Sequence, residues 1–131
     1  MIQLIDVCKT YNGDDMVVNH LDLEIPTGKL VVLVGESGCG KTTTMKMINR
    51  LEEPTSGTIL IDGKDIKEAN PIELRRNIGY VIQKVGLFPH LTVGQNIGIV
   101  PHLEKKDSKE IAENTVRLLD MIGLQHEEYI N

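Results

Sequence analysis

"LVVLVGESGCGKTTTMKMINRL", residues 30–51, decides the fold: an unbroken apolar run over 30–34 passes through three glycines and a lysine into a helical pattern. The apolar run does not alternate, so it predicts a strand buried on both faces, the mark of a central strand in an α/β sheet. After the glycines, Met47 and Leu51 lie four apart and Ile48 and Leu51 three apart, which predicts a helix with one apolar side. Between these two rigid segments, Gly35, Gly40, Lys41 and Thr42 satisfy G-x-x-x-x-G-K-[ST], the phosphate-binding loop. Chance alone produces such a match in roughly one chain of this length in two hundred. The context that the loop requires, a strand before it and a helix after it, is present.

The chemistry explains the composition. A polyphosphate must be met by several backbone N–H groups at once, and side chains would block that approach; Gly35, Gly38 and Gly40 supply the freedom. The helix opening near Lys41 aims its free N–H groups and positive dipole end at the ligand. Several charge-assisted hydrogen bonds of ~1.5–3 kcal/mol each together exceed the ~4–15 kcal/mol cost of immobilising a ligand, which one lysine alone could not. Contacts to the nucleotide's phosphates are assigned to Gly35, Glu36, Ser37, Gly38, Cys39, Gly40, Lys41, Thr42 and Thr43, with Lys41 on the β- and γ-phosphates and the Thr42 hydroxyl on Mg²⁺. Cys39 reads either as a thiol activated by the helix N-terminus or as a filler at one of the loop's free positions.

The 131 residues are 40% hydrophobic, 25% charged and 3% aromatic, enough for one domain with a modest core. The formal charge of −5 and the lack of a basic cluster exclude nucleic acid as a partner bound through phosphate attraction. Apolar runs reach only about five residues, and "MIQLIDVCKT" lacks the form of a signal peptide, so direct membrane insertion is excluded and a cytoplasmic location expected. Cys8 and Cys39 fit no zinc spacing, and His20, His90, His102 and His126 are scattered.

Along the chain, strands come first and helices later. "IQLIDVCK" is rich in branched apolar residues, and "LDLEI", 21–25, alternates Leu21, Leu23 and Ile25 with Asp22 and Glu24, the period of a half-buried strand. "TILIDGKDI", 58–66, predicts a hairpin around Asp62 and Gly63. "IGYVIQ", 78–83, predicts another mostly apolar strand. Three helix starts pair a capping side chain with Glu or Gln three residues on: Asn70 with Glu73, Thr92 with Gln95, and Asp107 with Glu110. The third helix places Ile111, Thr115, Leu118, Leu119 and Ile122 on one face and ends near Gly123.

Taken together, these motifs make the whole chain similar to the ATP-binding subunits of ABC transporters. "VCKTYNG" resembles that family's adenine-stacking loop, with Tyr11 as the stacking residue; the alternative for Tyr11 is a core position at a strand end. "IGYVIQKVGLFPHLTVGQNI" resembles the segment carrying the Q-loop. The resemblance implies that Gln83 contacts Mg²⁺ and the attacking water, and that the segment after Gln83, including "LFPHLTV", meets a membrane permease subunit. Phe88 in that segment reads equally as a core residue. The implied fold is an α/β P-loop NTPase with an N-terminal antiparallel β subdomain. Residues 1–83 form its nucleotide-binding core with the β subdomain and Walker A loop, and residues 84–131 carry the Q-loop and the start of a helical subdomain. The cofactors implied are ATP and Mg²⁺, and the partners a permease and a second ATPase subunit in a homodimer. The location implied is cytoplasmic and peripheral, on the inner face of the membrane. "TTTMKMINRLEEPTSG" and "ELRRNIGYVIQKVGLFPH" are most similar to importers of glycine betaine, carnitine or choline.

Two departures stand out. Glu36 occupies a position where the family often has proline. The chain also contains no L-S-G-G-Q and no strand ending in Asp-Glu after the loop, so it is expected to be truncated before the signature motif and Walker B strand. It would then bind nucleotide without hydrolysing it, and 30–34 would be left as an apolar edge open to association. A soluble ABC-type protein used as a nucleotide-switched module is the second reading. A small P-loop kinase or GTPase is the third, without the base-reading or lid motifs it needs.

Overall fold

Branched apolar residues make β1, Ile2–Thr10, the centre of the N-terminal sheet. β2, Met16–Ile25, runs antiparallel on one side of it, and β3, Ser56–Ile61, antiparallel on the other. β3 turns into the two-residue β4, Lys64–Asp65, so the sheet order is β2-β1-β3-β4. The turn is the expected one: Asp62 and Gly63 sit at φ +49° and +78°, two successive left-handed residues whose twist matches the flanking strands. The computed structural model describes residues 1–83 and 86–124, which fall in two units, Met1–Gly79 and Tyr80–Asn131.

One face of the sheet carries the core of the first unit. Leu4, Val7, Val18 and Ile59 come from the strands, Met47 from α1, Lys41–Ile48, and Ile66 from the turn after β4. Ile48 of α1 and Leu74 of α2, Pro71–Arg76, pack at its margin. Leu51 does not continue the stripe on α1 as its spacing suggests. The helix stops at Ile48, Arg50 takes φ +53°, and Leu51 is half exposed. Arg50 then acts as a strut. Its guanidinium donates to the carbonyls of Ile66 at 3.0 Å and Ala69 at 2.9 Å and pairs with Glu53 at 2.8 Å. Arg75 donates to the Asn49 carbonyl and tethers α2 to the same corner.

The expected strands over 30–34 and 78–83 do not form. Leu30, Val32 and Val34 are 92%, 70% and 90% exposed, and Val81 is 90% exposed. A strand buried on both faces also needs a neighbour along each edge, because hydrogen bonds are what hold the extended backbone in a sheet. Among the described residues, no main-chain group of 30–34 finds such a partner.

The second unit contains α3, Val93–Leu103, and α4, Ser108–Met121, packed on one another. Thr92 and Gln95 form the full reciprocal capping box. Asn70 caps α2 by accepting from Ile72 and Glu73, and Asp107 caps α4 by accepting from Lys109. Glu110 does not complete a box at α4; it pairs with Lys106 at 3.1 Å. Thr115 and Leu119 are the buried positions of the expected α4 face, whereas Ile122 is 67% exposed. Gly123, at φ +76°, follows the helix, and the Leu124 amide reaches back to the Leu119 carbonyl at 3.0 Å. Among the described residues, no helix is long and apolar enough to cross a membrane.

Candidate nucleotide site

The glycine-rich loop is turned rather than extended, and Gly40 is required by the space it occupies. Gly40 is buried at φ +91°, and a Cβ there would lie 2.5 Å from the Val17 carbonyl oxygen and 3.1 Å from Val18 Cγ2. This close approach seats the loop on the start of β2. A Cβ on Gly35 would stand 2.7 Å from Cys39 Sγ, the movable end of an exposed side chain, so Gly35 is close to Cys39 without being required by backbone.

α1 starts directly from this seat. Gly40 is its N-cap and offers no capping side chain. The first helical bond runs from the Thr44 amide to the Gly40 carbonyl at 2.8 Å, reinforced by the buried Thr44 hydroxyl at 3.0 Å. The amides of Lys41, Thr42 and Thr43 precede that bond and have no acceptor among the described residues. Unsatisfied first-turn amides at the positive end of a helix form a site for an anion.

Lys41 folds back over the turn. Its ammonium donates to the carbonyls of Gly35 at 2.8 Å and Glu36 at 2.6 Å, and lies 3.3 Å from Cys39 Sγ. All three donors of the ammonium are therefore directed into the loop. Glu36 contributes its carbonyl, and its side chain, like Ser37, Gly38 and Thr42, is exposed. Thr43 is partly covered. A cation and free amides thus converge on an open turn seated on β2 through Gly40. These residues fit a polyphosphate, which could take the place of the two carbonyls on Lys41.

The other candidate residues are placed separately. Tyr11 lies in the turn leading into β2, the strand against which Gly40 packs, and is 60% exposed, so it is not a core residue. Lys9 sits 4.8 Å from its ring centroid, held also by the Glu53 carbonyl at 2.8 Å. Gln83 is exposed, in the second unit. Of the segment after it, Lys84 and Val85 lie outside the described residues, as do residues 125–131 with His126. Phe88 is half exposed, edge-on to His90 at 5.9 Å. Sequence reasoning missed Asn96, which fastens that segment. It accepts from the Phe88 amide at 2.8 Å and donates to the carbonyls of Leu91 at 3.2 Å and Thr92 at 2.9 Å. A single asparagine inside a helix gives no periodic signal that would reveal this.

Comparison with known proteins agrees with this geometry. The model of the ABC transporter family matches residues 18–130, which include the whole loop. The chain belongs to the ABC transporter family. Among its ABC relatives, the glycine betaine/carnitine/choline transport ATP-binding protein OpuCA of Bacillus subtilis (strain 168) is 55% identical over 92% of this chain and 33% of its own length. The choline transport ATP-binding protein OpuBA of the same strain is 53% identical over 92% of this chain and 32% of its own. The chain thus spans about a third of the length of the curated relatives it matches. A solved dimeric structure of a post-hydrolysis state of the ATP-binding cassette MJ0796, bound to ADP and Pi, matches with a TM-score of 0.84 and 29% identity. It covers 100% of this chain and 61% of that one, which makes the α/β ABC ATPase cassette the fold class of the chain.

Proposed function

We infer that this chain holds ATP through residues 35–43 and belongs to an ATP-binding subunit that drives import of a quaternary-amine osmoprotectant. The observation that carries the reading is the convergence of the Lys41 ammonium and the free amides of Lys41, Thr42 and Thr43 on one glycine-lined turn. The substrate class is supported by the 50–55% identity to transport proteins named for choline, carnitine and glycine betaine.

In this reading Lys41 exchanges the Gly35 and Glu36 carbonyls for β- and γ-phosphate oxygens. Gly35, Glu36, Ser37, Gly38, Cys39 and Gly40 present the backbone to the phosphates, with the Thr43 amide beside them. The Thr42 hydroxyl would hold Mg²⁺, and the ion would supply charge neutralisation to the phosphates when bound. Tyr11 offers the ring face turned from Lys9 to adenine. The segment after Gln83 meets a permease, a second ATPase subunit completes the working assembly, and both place the protein on the cytoplasmic side of a membrane.

Titration calorimetry with Mg-ATP tests the site. Lys41→Ala removes a charge-assisted contact worth ~1.5–3 kcal/mol, so affinity should fall by about 10- to 150-fold. Unchanged affinity rejects the phosphate role of Lys41.

A further inference from the structure

Lys9 stands near the end of β1, two residues before Tyr11, and its side chain is only 13% exposed. A covered ammonium needs partners, because donors left unmet away from water cost free energy. The Glu53 carbonyl accepts from it at 2.8 Å, the Glu52 carboxylate lies 3.7 Å away, and the centroid of the Tyr11 ring 4.8 Å away. The first two partners are themselves fixed. After α1 ends at Ile48, the chain folds back on β1: the Thr55 amide donates to the Cys8 carbonyl at 2.9 Å, and the Thr10 amide to the Thr55 hydroxyl at 3.1 Å. Arg50 pins the Glu53 carboxylate at 2.8 Å. Lys9 is thus anchored to the stretch that follows the helix of the phosphate-binding loop.

Tyr11 has no comparable anchor. It is 60% exposed, and among the described residues its hydroxyl makes no hydrogen bond and its ring meets no other aromatic ring. The ammonium is therefore the directional contact that the ring has, made to the negative face that an aromatic ring presents to a cation. A ring held on one face keeps the other open, and it loses less freedom when a flat base settles there.

We propose that Lys9 is a positioning residue of the nucleotide site, whose ammonium, fixed by Glu52 and Glu53, holds the Tyr11 ring in the orientation that receives the base. Lys9 has this role only if Tyr11 stacks on the base, as proposed above. The loop opens α1 and the anchor of Lys9 follows its end, so one segment, 35–55, sets both the phosphate end and the base end of the site. A lysine that merely stapled 52–53 to β1 would affect every ligand of the loop alike. One that orients Tyr11 affects only ligands that carry a base.

Titration calorimetry of the 131-residue chain with Mg-ATP and with Mg-tripolyphosphate, which has phosphates and no base, separates the two. Lys9→Met keeps the apolar stem and removes the charge. Its affinity for Mg-ATP should fall about three- to tenfold, while its affinity for Mg-tripolyphosphate stays at the parent value. Lys9→Arg keeps a cation and should retain most of the affinity for Mg-ATP. In the parent chain, proton NMR should show the ε-methylene of Lys9 shifted upfield by the ring current of Tyr11, and Tyr11→Ala should remove that shift. Equal losses for both ligands in Lys9→Met, no loss for Mg-ATP in that variant, an equal loss in Lys9→Arg, or no upfield shift each overturns the role of Lys9. If Tyr11→Ala lowers the affinity for Mg-ATP and Lys9→Met does not, Lys9 alone is rejected. If the parent binds no Mg-ATP, or Tyr11→Ala leaves its affinity unchanged, the stacking role of Tyr11 falls and that of Lys9 with it.

Discussion

β1 and residues 30–34 both carry branched apolar residues and have opposite fates. β1 mixes Leu4 and Val7 with Gln3, Asp6 and Lys9, yet Leu4 is 2% exposed and Val7 fully buried. The run 30–34 has no polar residue at all, and Leu30 is 92% exposed. The difference lies along the edges. β1 exchanges hydrogen bonds with β2 on one side and β3 on the other, and α1 closes the face above Leu4 through Met47. Residues 30–34 have no such neighbours among the described residues. Apolar character therefore states what a segment can bury, and a hydrogen-bonding neighbour decides whether it does.

The largest expected effect divides these two regions. Ile59→Ala removes a side chain that is 1% exposed and in the core cluster, and should cost ~2–5 kcal/mol by transfer and cavity terms together. Val32→Ala, in dilute monomeric protein, should change stability by no more than ~0.5 kcal/mol. Urea unfolding followed by circular dichroism measures both. Equal losses would mean that 30–34 is packed, and the contrast would disappear.

Gly40 joins the two regions, since it ends the loop that follows the exposed run and rests on β2. Gly40→Ala places a Cβ 2.5 Å from the Val17 oxygen at a left-handed φ, and should destabilise the first unit by ~1–3 kcal/mol. Gly38→Ala is the control. It has a similar φ of +86° but meets nothing within 4 Å, so it should cost less. If thermal unfolding ranks the two the other way, the loop is not seated on β2 as described.

How much of this was legible in the sequence follows from the range of each interaction. The turn at Asp62 and Gly63, the caps at Asn70, Thr92 and Asp107, and the start of α1 at Lys41 are set by residues within a few positions of each other, and all are found in place. The contacts of Lys41 within its turn are also short in range, at most six residues away, but the sequence reading assigned Lys41 to phosphate and did not foresee them. Arg50 was not legible, because its partners are main-chain carbonyls 16 and 19 residues ahead. Nor was the irregularity in the β1–β2 ladder, where Asp6 and His20 take φ +51° and +45° and the Asp6 amide bonds to the Asp22 carboxylate. The strand expected over 30–34 does not form because no main-chain partner for it lies among the described residues, which its own composition could not reveal.

The smallest effect concerns the interactions that were most legible. At the start of α3, the Thr92 hydroxyl accepts from the Gln95 amide at 3.2 Å, and the Gln95 side chain accepts from the Thr92 amide at 2.9 Å. Thr92→Ala removes the first bond and leaves a first-turn amide to solvent, at a cost of ~1 kcal/mol. Thr92→Ser keeps the hydroxyl and should retain most of the stability. Hydrogen exchange at the Gln95 amide distinguishes a local role from a tertiary one. If the box acts locally, Thr92→Ala speeds exchange at Gln95 and its neighbours in the first turn and leaves the amides of α4 unchanged. A uniform loss of protection across α3 and α4 would mean that Thr92 supports the packing of the helix pair, and a motif readable from four residues would be serving a contact that four residues cannot reveal.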